Sequence, residues 1–432
     1  MKLWFNNYLG CKIKPFPTTR RARLFFFARN LTGRQAMGRK TVQKHLITEN
    51  EYDDRCTTPL WGNSHAHFRG ICCWKGVPTD VRKQQEALMR LVVPIQCADP
   101  FGMAVAMPNL KVPVTLVGEA FCYRQQIHNL LPERSGFEVL VSVQLHLGTT
   151  PEMIQEACRT EGTTLTGKPR PRVRLAKLYP AEVTNSPIGV SEDQLLCEQM
   201  MLNYEEMARQ GMILSVHPEV FCGEGEYFAC EEAFIPTLEK LSRRVPKLLI
   251  SVEHISTKEL LEAVLSLPDN VVGTFTVHHL IGDTVDFWDG TNVCNHFNFC
   301  RSVLREEADR LALLGAIADP IACQKLSLGL DDAPHTKRAK ENGAPGIWIP
   351  GPIAASLLLE TCEAHEIPFQ AVIDVACLNG PRFYGLEVPE RTVTFERCEM
   401  VIPEEIPIPG INDVLIPWRA GKPYHWRLVE SA

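Results

Sequence analysis

Eight short apolar runs, separated by stretches with helical spacing, constrain the fold of this chain more than any other feature. They are Gly62–Phe68, Gly102–Asn109, Phe137–Leu147, Val173–Tyr179, Met212–Glu219, Leu248–Ile255, Val271–Leu280 and Leu326–Asp331. Each has the length of a buried strand, far below the roughly 18 apolar residues that a membrane-spanning helix needs. Helical patterns lie between them at Val117–Leu131, Asp193–Gln210, Cys230–Arg244, Thr257–Ser266 and Arg305–Ala318. Strands alternating with helices predict an α/β fold, and eight of them predict a (β/α)8 barrel. A doubly wound open sheet would need a Gly-rich first turn. No G-x-G-x-x-G or P-loop pattern follows any run, so a nucleotide cofactor is not indicated.

The barrel is expected over residues 59–390, with a segment of short strands, 391–432, packed on it. Residues 1–58 read as a basic N-terminal extension. Of the chain's 45 Lys and Arg, eleven fall in residues 1–48, which hold no acid; the other 34 face all 51 Asp and Glu, so the remainder carries −17. Phosphate binding needs a basic face, so the acidic body is not expected to bind nucleic acid. The arm has the profile of a transit peptide, except that it lacks Ser; the alternative is an upstream extension, with the true start at Met37. The expected location is the cytoplasm, or a mitochondrion or plastid if the arm is an address. Sixteen Cys without a Cys-x-x-Cys pair argue against a thiolate zinc ribbon, and the adjacent Cys72 and Cys73 read as free thiols of a reducing compartment.

Chemistry concentrates where the runs end. His65 and His67, in Asn63-Ser64-His65-Ala66-His67-Phe68-Arg69, share one face of a strand by period-two geometry. Alone, a His-x-His pair is usually unremarkable. Lys177, His217, His254 and Asp331 end four later runs. In a barrel, all of these converge on the C-terminal face, where barrel enzymes carry their active sites. Four His and one Asp suit two divalent ions. An ammonium cannot ligate, because it has no lone pair. A lysine carboxylated by carbon dioxide could bridge two ions.

These pieces resemble the amidohydrolase superfamily, and more closely the single-domain dihydroorotases of bacteria and fungi. The likeness rests on His65-Ala66-His67-Phe68-Arg69, Met107-Pro108-Asn109-Leu110, Ala176-Lys177-Leu178-Tyr179-Pro180, Val216-His217-Pro218-Glu219, Glu253-His254, His278-His279-Leu280, Asp331-Asp332-Ala333-Pro334-His335 and Asn379-Gly380-Pro381. They occur in family order. The resemblance implies two Zn2+ ions bridged by N6-carboxylated Lys177. His65, His67, Lys177 and Asp331 would hold one ion, and Lys177, His217 and His254 the other. Asp331 would be the catalytic base. His67, Arg69, Asn109, His217, His335 and, less directly, Arg301 and Gly351 would contact a cyclic ureide bearing a carboxylate. The implied reaction is reversible hydrolysis of L-dihydroorotate to N-carbamoyl-L-aspartate, by a homodimer with no nucleic-acid or membrane partner.

Several positions depart from the family pattern: Gly70, Pro218, Ser302, Asp332 and the loop Lys337–Pro352. They motivate a second reading, a related hydrolase of another cyclic amide, ureide or imide. A third reading, a non-catalytic scaffold, predicts decayed ligands, and none is missing.

Overall fold

The computed structural model describes residues 52–71, 76–131, 136–159, 161–163, 169–171, 173–184 and 186–429. The basic arm and the Cys72–Cys73 pair lie outside the described residues. Eight parallel strands form one sheet: Trp61–Ala66, Phe101–Ala106, Glu138–Leu145, Leu175–Leu178, Ile213–Val216, Leu249–Val252, Val271–Phe275 and Leu326–Leu328. They are numbered here as barrel strands one to eight. Each pairs with its neighbour in chain order, so the sheet curls until strand eight returns to strand one. A parallel bridge between Ala66 and Asp332 closes the circle, with Asp331 N–H donating to the His65 carbonyl at 3.0 Å. The Asn63 Oδ1 adds to the seam by accepting from the backbone N–H of His65 and of Leu330.

Two apolar layers hold the barrel. Inside it, Met103, Val105, Met107, Leu140, Leu175 and Ile213 pack against Tyr384, which fills the floor. Outside, residues such as Val92, Val93, Tyr204, Leu238, Leu260 and Leu358 join the helices to the strands. Strands buried on both faces cannot alternate apolar and polar residues, which is why they read as continuous apolar runs.

The structure trims and corrects several expected elements. The run Val271–Leu280 is a strand only to Phe275; Val277–Ile281 is a short helix, capped by the Thr276 hydroxyl accepting from the His279 N–H. The expected loop Lys337–Pro352 contains the helix Lys337–Glu341, and its end starts the helix Gly351–Ala364. Thr79–Gln96 is a long helix despite Pro94. Arg55–Pro59, within the stretch assigned to the N-terminal extension, is an edge strand pairing with Thr392–Val401, which in turn pairs with Pro423–Val429. All thirteen described cysteines are free thiols. Among the described residues, no helix is long and apolar enough to cross a membrane.

Candidate metal centre

His65 and Lys177 sit in the last residues of their strands, and His67, His217, His254 and Asp331 just beyond theirs, where the chain leaves the ladder. Two of these, His254 and Asp331, and the neighbouring Arg69 need unusual backbone, with φ of 39, 44 and 61°, in the left-handed region that non-glycine residues rarely adopt. Such strain persists only where the surroundings hold it, and it clusters at functional sites.

His65, His67 and Asp331 meet first. His65 Nε2 lies 3.2 Å from His67 Nε2 and 3.2 Å from Asp331 Oδ1, and His67 Nε2 lies 3.0 Å from the same oxygen. Donor atoms around one zinc at about 2.0–2.1 Å stand roughly 3.3 Å apart, so this triangle has the size of a coordination sphere. A second pair, His217 Nδ1 and His254 Nε2, is 3.1 Å apart. The rings of His65 and His254 are 5.3 Å apart, which joins the two pairs into one cluster. His65, His254 and Asp331 together form one of two buried groups among the described residues whose donors could share an ion.

Lys177 lies among them. It is fully buried, and its Nζ has no hydrogen-bond partner among the described residues. A buried ammonium without acceptors is costly. Burial accordingly lowers its pKa to about 8, against the opposing pull of Glu253 and Asp331. The minority of neutral amine at neutral pH is then far larger than for an ordinary lysine, and it is a nucleophile. Reaction with carbon dioxide would form one N–C bond, release one proton, and turn an orphaned cation into an anionic oxygen donor. The residues present therefore fit a metal pair with a lysine-borne bridge.

Two carboxylates that the sequence left without roles orient this cluster. Glu253 accepts from Ser215 Oγ at 2.8 Å, Ser251 Oγ at 2.7 Å and Thr274 Oγ1 at 3.0 Å, and lies 3.2 Å from His65 Nδ1. Glu219 lies 2.6 Å from His217 Nε2 and accepts from Arg301 Nε at 3.1 Å. Each carboxylate holds the proton of one ring nitrogen, so the other nitrogen presents its lone pair to the centre. Each stood in the sequence beside or two residues from a ligand histidine, the only signal that could have found it.

Burial pushes the Asp331 carboxyl up, but the charge of His65 and hydrogen bonds from His65 and His67 outweigh it and hold Asp331 well below the ordinary carboxylate range. Asp331 is thus ionised and able to accept a proton. Its neighbour Asp332 is pushed the other way, by burial and by Asp331.

Above the cluster opens a cavity of about 360 Å3, lined by His65, His67, Arg69, Asn109, His217, His254, Arg301, Asp331 and His335 among others. Arg69 Nε donates to the Pro334 carbonyl at 2.8 Å, and its Nη2 stands 3.0 Å from His335 Nε2. Burial and the adjacent Arg69 keep His335 neutral, far below its ordinary pKa. His335 Nε2 must then accept, which leaves its proton on Nδ1 as a donor for an anion. The Asn109 Oδ1 is buried without a partner, an acceptor that a ring N–H would satisfy. Arg301 reaches the cavity, but its guanidinium is bound to Glu219 and lies over the Tyr227 ring. Gly351 does not line the cavity. It begins the helix Gly351–Ala364 against Gln96 and Phe101, and the loop glycine at the cavity is Gly346.

No family model matches the chain. Curated proteins do. A dihydroorotase of Halorhodospira halophila is 39% identical over 346 residues, covering 79% of this chain and 94% of that protein. A dihydroorotase of Neisseria meningitidis serogroup B is 37% identical over 333 residues, covering 76% and 90%. The crystal structure of Saccharomyces cerevisiae dihydroorotase in complex with 5-fluoroorotic acid superposes with a TM-score of 0.71 at 25% identity, covering 87% of this chain and 98% of that one.

Proposed function

The chain belongs to the dihydroorotase family, and from that membership we propose that it catalyses the reversible hydrolysis of L-dihydroorotate to N-carbamoyl-L-aspartate in pyrimidine synthesis. The observation that carries this reading is one cavity with metal donors at its floor and anion-binding groups on its wall. His65, His67, Asp331 and carboxylated Lys177 would hold one zinc, and Lys177, His217 and His254 a second. When bound, the metal pair would acidify a water and polarise the scissile carbonyl.

The chain's own residues do the rest. Arg69, with Nε and Nη2 fixed by the Pro334 carbonyl and His335, offers a rigid guanidinium edge to the substrate carboxylate. The His335 Nδ1–H adds a second donor, and Asn109 addresses the ring. Placing the carboxylate fixes the ring amide over Asp331. The Asp331 carboxylate takes the proton of the attacking water and returns it to the ring nitrogen as that nitrogen leaves. Ring closure reverses the same transfers. One residue serves both directions because the proton taken in one half-step is the proton given in the other.

The test is turnover of dihydroorotate by the purified chain with zinc supplied. Hydrolysis of dihydroorotate and cyclisation of N-carbamoyl-L-aspartate are expected. No turnover of either, with hydrolysis of a hydantoin or another cyclic imide, would replace this reading with the broader one that Ser302 and Asp332 motivate.

A further inference from the structure

A second buried donor cluster lies outside the centre described above. His278, His279 and Cys300 bring three donor atoms within 4.8 Å of one another, and all three residues are buried. His278 and His279 come from the short helix Val277–Ile281 after strand seven; Cys300 comes from the loop that carries Arg301. Nothing in the hydrolytic reaction uses them.

The state of each side chain points the same way. His278 is 1% exposed, and neither of its ring nitrogens has a hydrogen-bond partner among the described residues. Buried polar groups are nearly always paired, so an imidazole unpaired at both nitrogens marks a missing ion or water. His279 Nε2 lies 3.1 Å from the Ser302 carbonyl, which can only accept, so Nε2 carries the proton and Nδ1 carries the lone pair; that lone pair accepts from the Thr276 hydroxyl at 2.8 Å, a bond an ion would have to displace. A histidine whose second nitrogen donates to a backbone carbonyl is in the arrangement typical of a metal ligand. Cys300 Sγ lies 3.0 Å from the same carbonyl. Burial raises the Cys300 pKa, so in the absence of an ion it is a neutral thiol.

We propose that His278, His279 and Cys300 form a separate binding site for one zinc-class divalent ion, with a fourth position open to water. Two imidazoles and one thiolate select a borderline-soft ion over calcium or magnesium, which prefer oxygen donors. Binding exchanges the Cys300 proton for the ion: the S–H bond breaks, a metal–sulfur bond forms, and one proton is released to solvent. The bound ion ties the strand-seven helix to the loop bearing Arg301, at the edge of the substrate cavity. This site does not depend on the proposed substrate or on the metal pair.

Cobalt(II) is the probe. The hydrolytic centre offers only nitrogen and oxygen donors, so a thiolate-to-cobalt charge-transfer band can come only from a cysteine. The full chain, stripped of metal and titrated with cobalt, is expected to develop this band and to bind one equivalent more than a Cys300→Ser variant. That variant should lose the band, and His278→Gln should weaken cobalt binding at least tenfold. Replacing the exposed Cys122, Cys222 and Cys294 by Ser should leave the band in place. Absence of the band in the unaltered chain at saturating cobalt overturns the site without any variant. So does a band that survives Cys300→Ser or disappears with the three exposed cysteines.

Discussion

The mouth of the barrel has a strand-borne half and a loop-borne half, and they are built differently. The strand-borne half comprises His65, His67, Lys177, His217, His254 and Asp331. Its members sit within a few residues of hydrogen-bonded ladders, and the donor atoms of its histidines and Asp331 lie at coordination distances. Two buried carboxylates from the same strand ends, Glu253 and Glu219, orient two of the rings, His65 and His217. The loop-borne half comprises Arg69, Asn109, Arg301 and His335. It is held by a few side-chain contacts, such as Arg69 with the Pro334 carbonyl and His335, and Arg301 with the strand-end Glu219. A ladder fixes a side chain through many backbone bonds at once, whereas a loop fixes it through the few it makes. The chemistry is expected to be intolerant of change on the strands, and the specificity adjustable on the loops.

The sharpest way to break this contrast is on the strands. Asp331→Asn should lower kcat by on the order of 10²–10⁴-fold, the usual contribution of a positioned acid or base. Steady-state kinetics at saturating metal measure it, and a loss below tenfold refutes the proton role. Lys177→Ala should lose metal, read by elemental analysis, with partial rescue by a short carboxylic acid. Glu253→Gln should come next, costing roughly 10–100-fold in metal affinity or activity, as changes to groups orienting metal ligands do. Metal titration with kinetics distinguishes this from a general loss of fold.

On the loops, Arg69→Lys should raise KM for dihydroorotate far more than it lowers kcat, because it removes a planar guanidinium without touching Asp331. An equal loss in both would move Arg69 into the chemistry. A smaller effect is expected at Lys340, whose Nζ donates to the carbonyls of Phe299, Ala344 and Gly346 at 3.0, 2.9 and 2.6 Å. This lysine ties the strand-seven and strand-eight loops together. Lys340→Met leaves buried carbonyls unpaired and should cost about 1–3 kcal/mol of stability, read by thermal unfolding. It should change the Km by only a few-fold.

The cluster also sets a pH limit. Burial holds His67 down to about 4, while in the unfolded chain it titrates near its ordinary value. Between those values the unfolded state binds more protons, so stability falls as pH falls from about 6.5 toward 4. Thermal unfolding of the metal-free chain should show this decline, and a flat profile over that window would contradict it.

The same contrast explains what was legible in the sequence. All six candidate ligand positions could be named because strand ends are marked by apolar runs and the barrel brings those ends together. Glu253 could not be assigned a role, because its partners Ser215, Thr274 and His65 come from other strands and meet it only in three dimensions. The loops misled for local reasons. A Gly- and Pro-rich composition hid the helix Lys337–Glu341, whose start depends on the Thr336 side chain accepting from Ala339 N–H. The resemblance placed Gly351 at the substrate, but it starts the helix Gly351–Ala364, and the loop glycine lining the cavity is Gly346.

The account turns on Lys177 becoming the anionic bridge of a metal pair. The most direct measurement is carbon NMR of the zinc-loaded chain prepared with isotopically labelled bicarbonate. A carbamate resonance that tracks dihydroorotate turnover and disappears in Lys177→Ala is the predicted result. Full turnover with no carbamate signal, or a signal that survives Lys177→Ala, would contradict it.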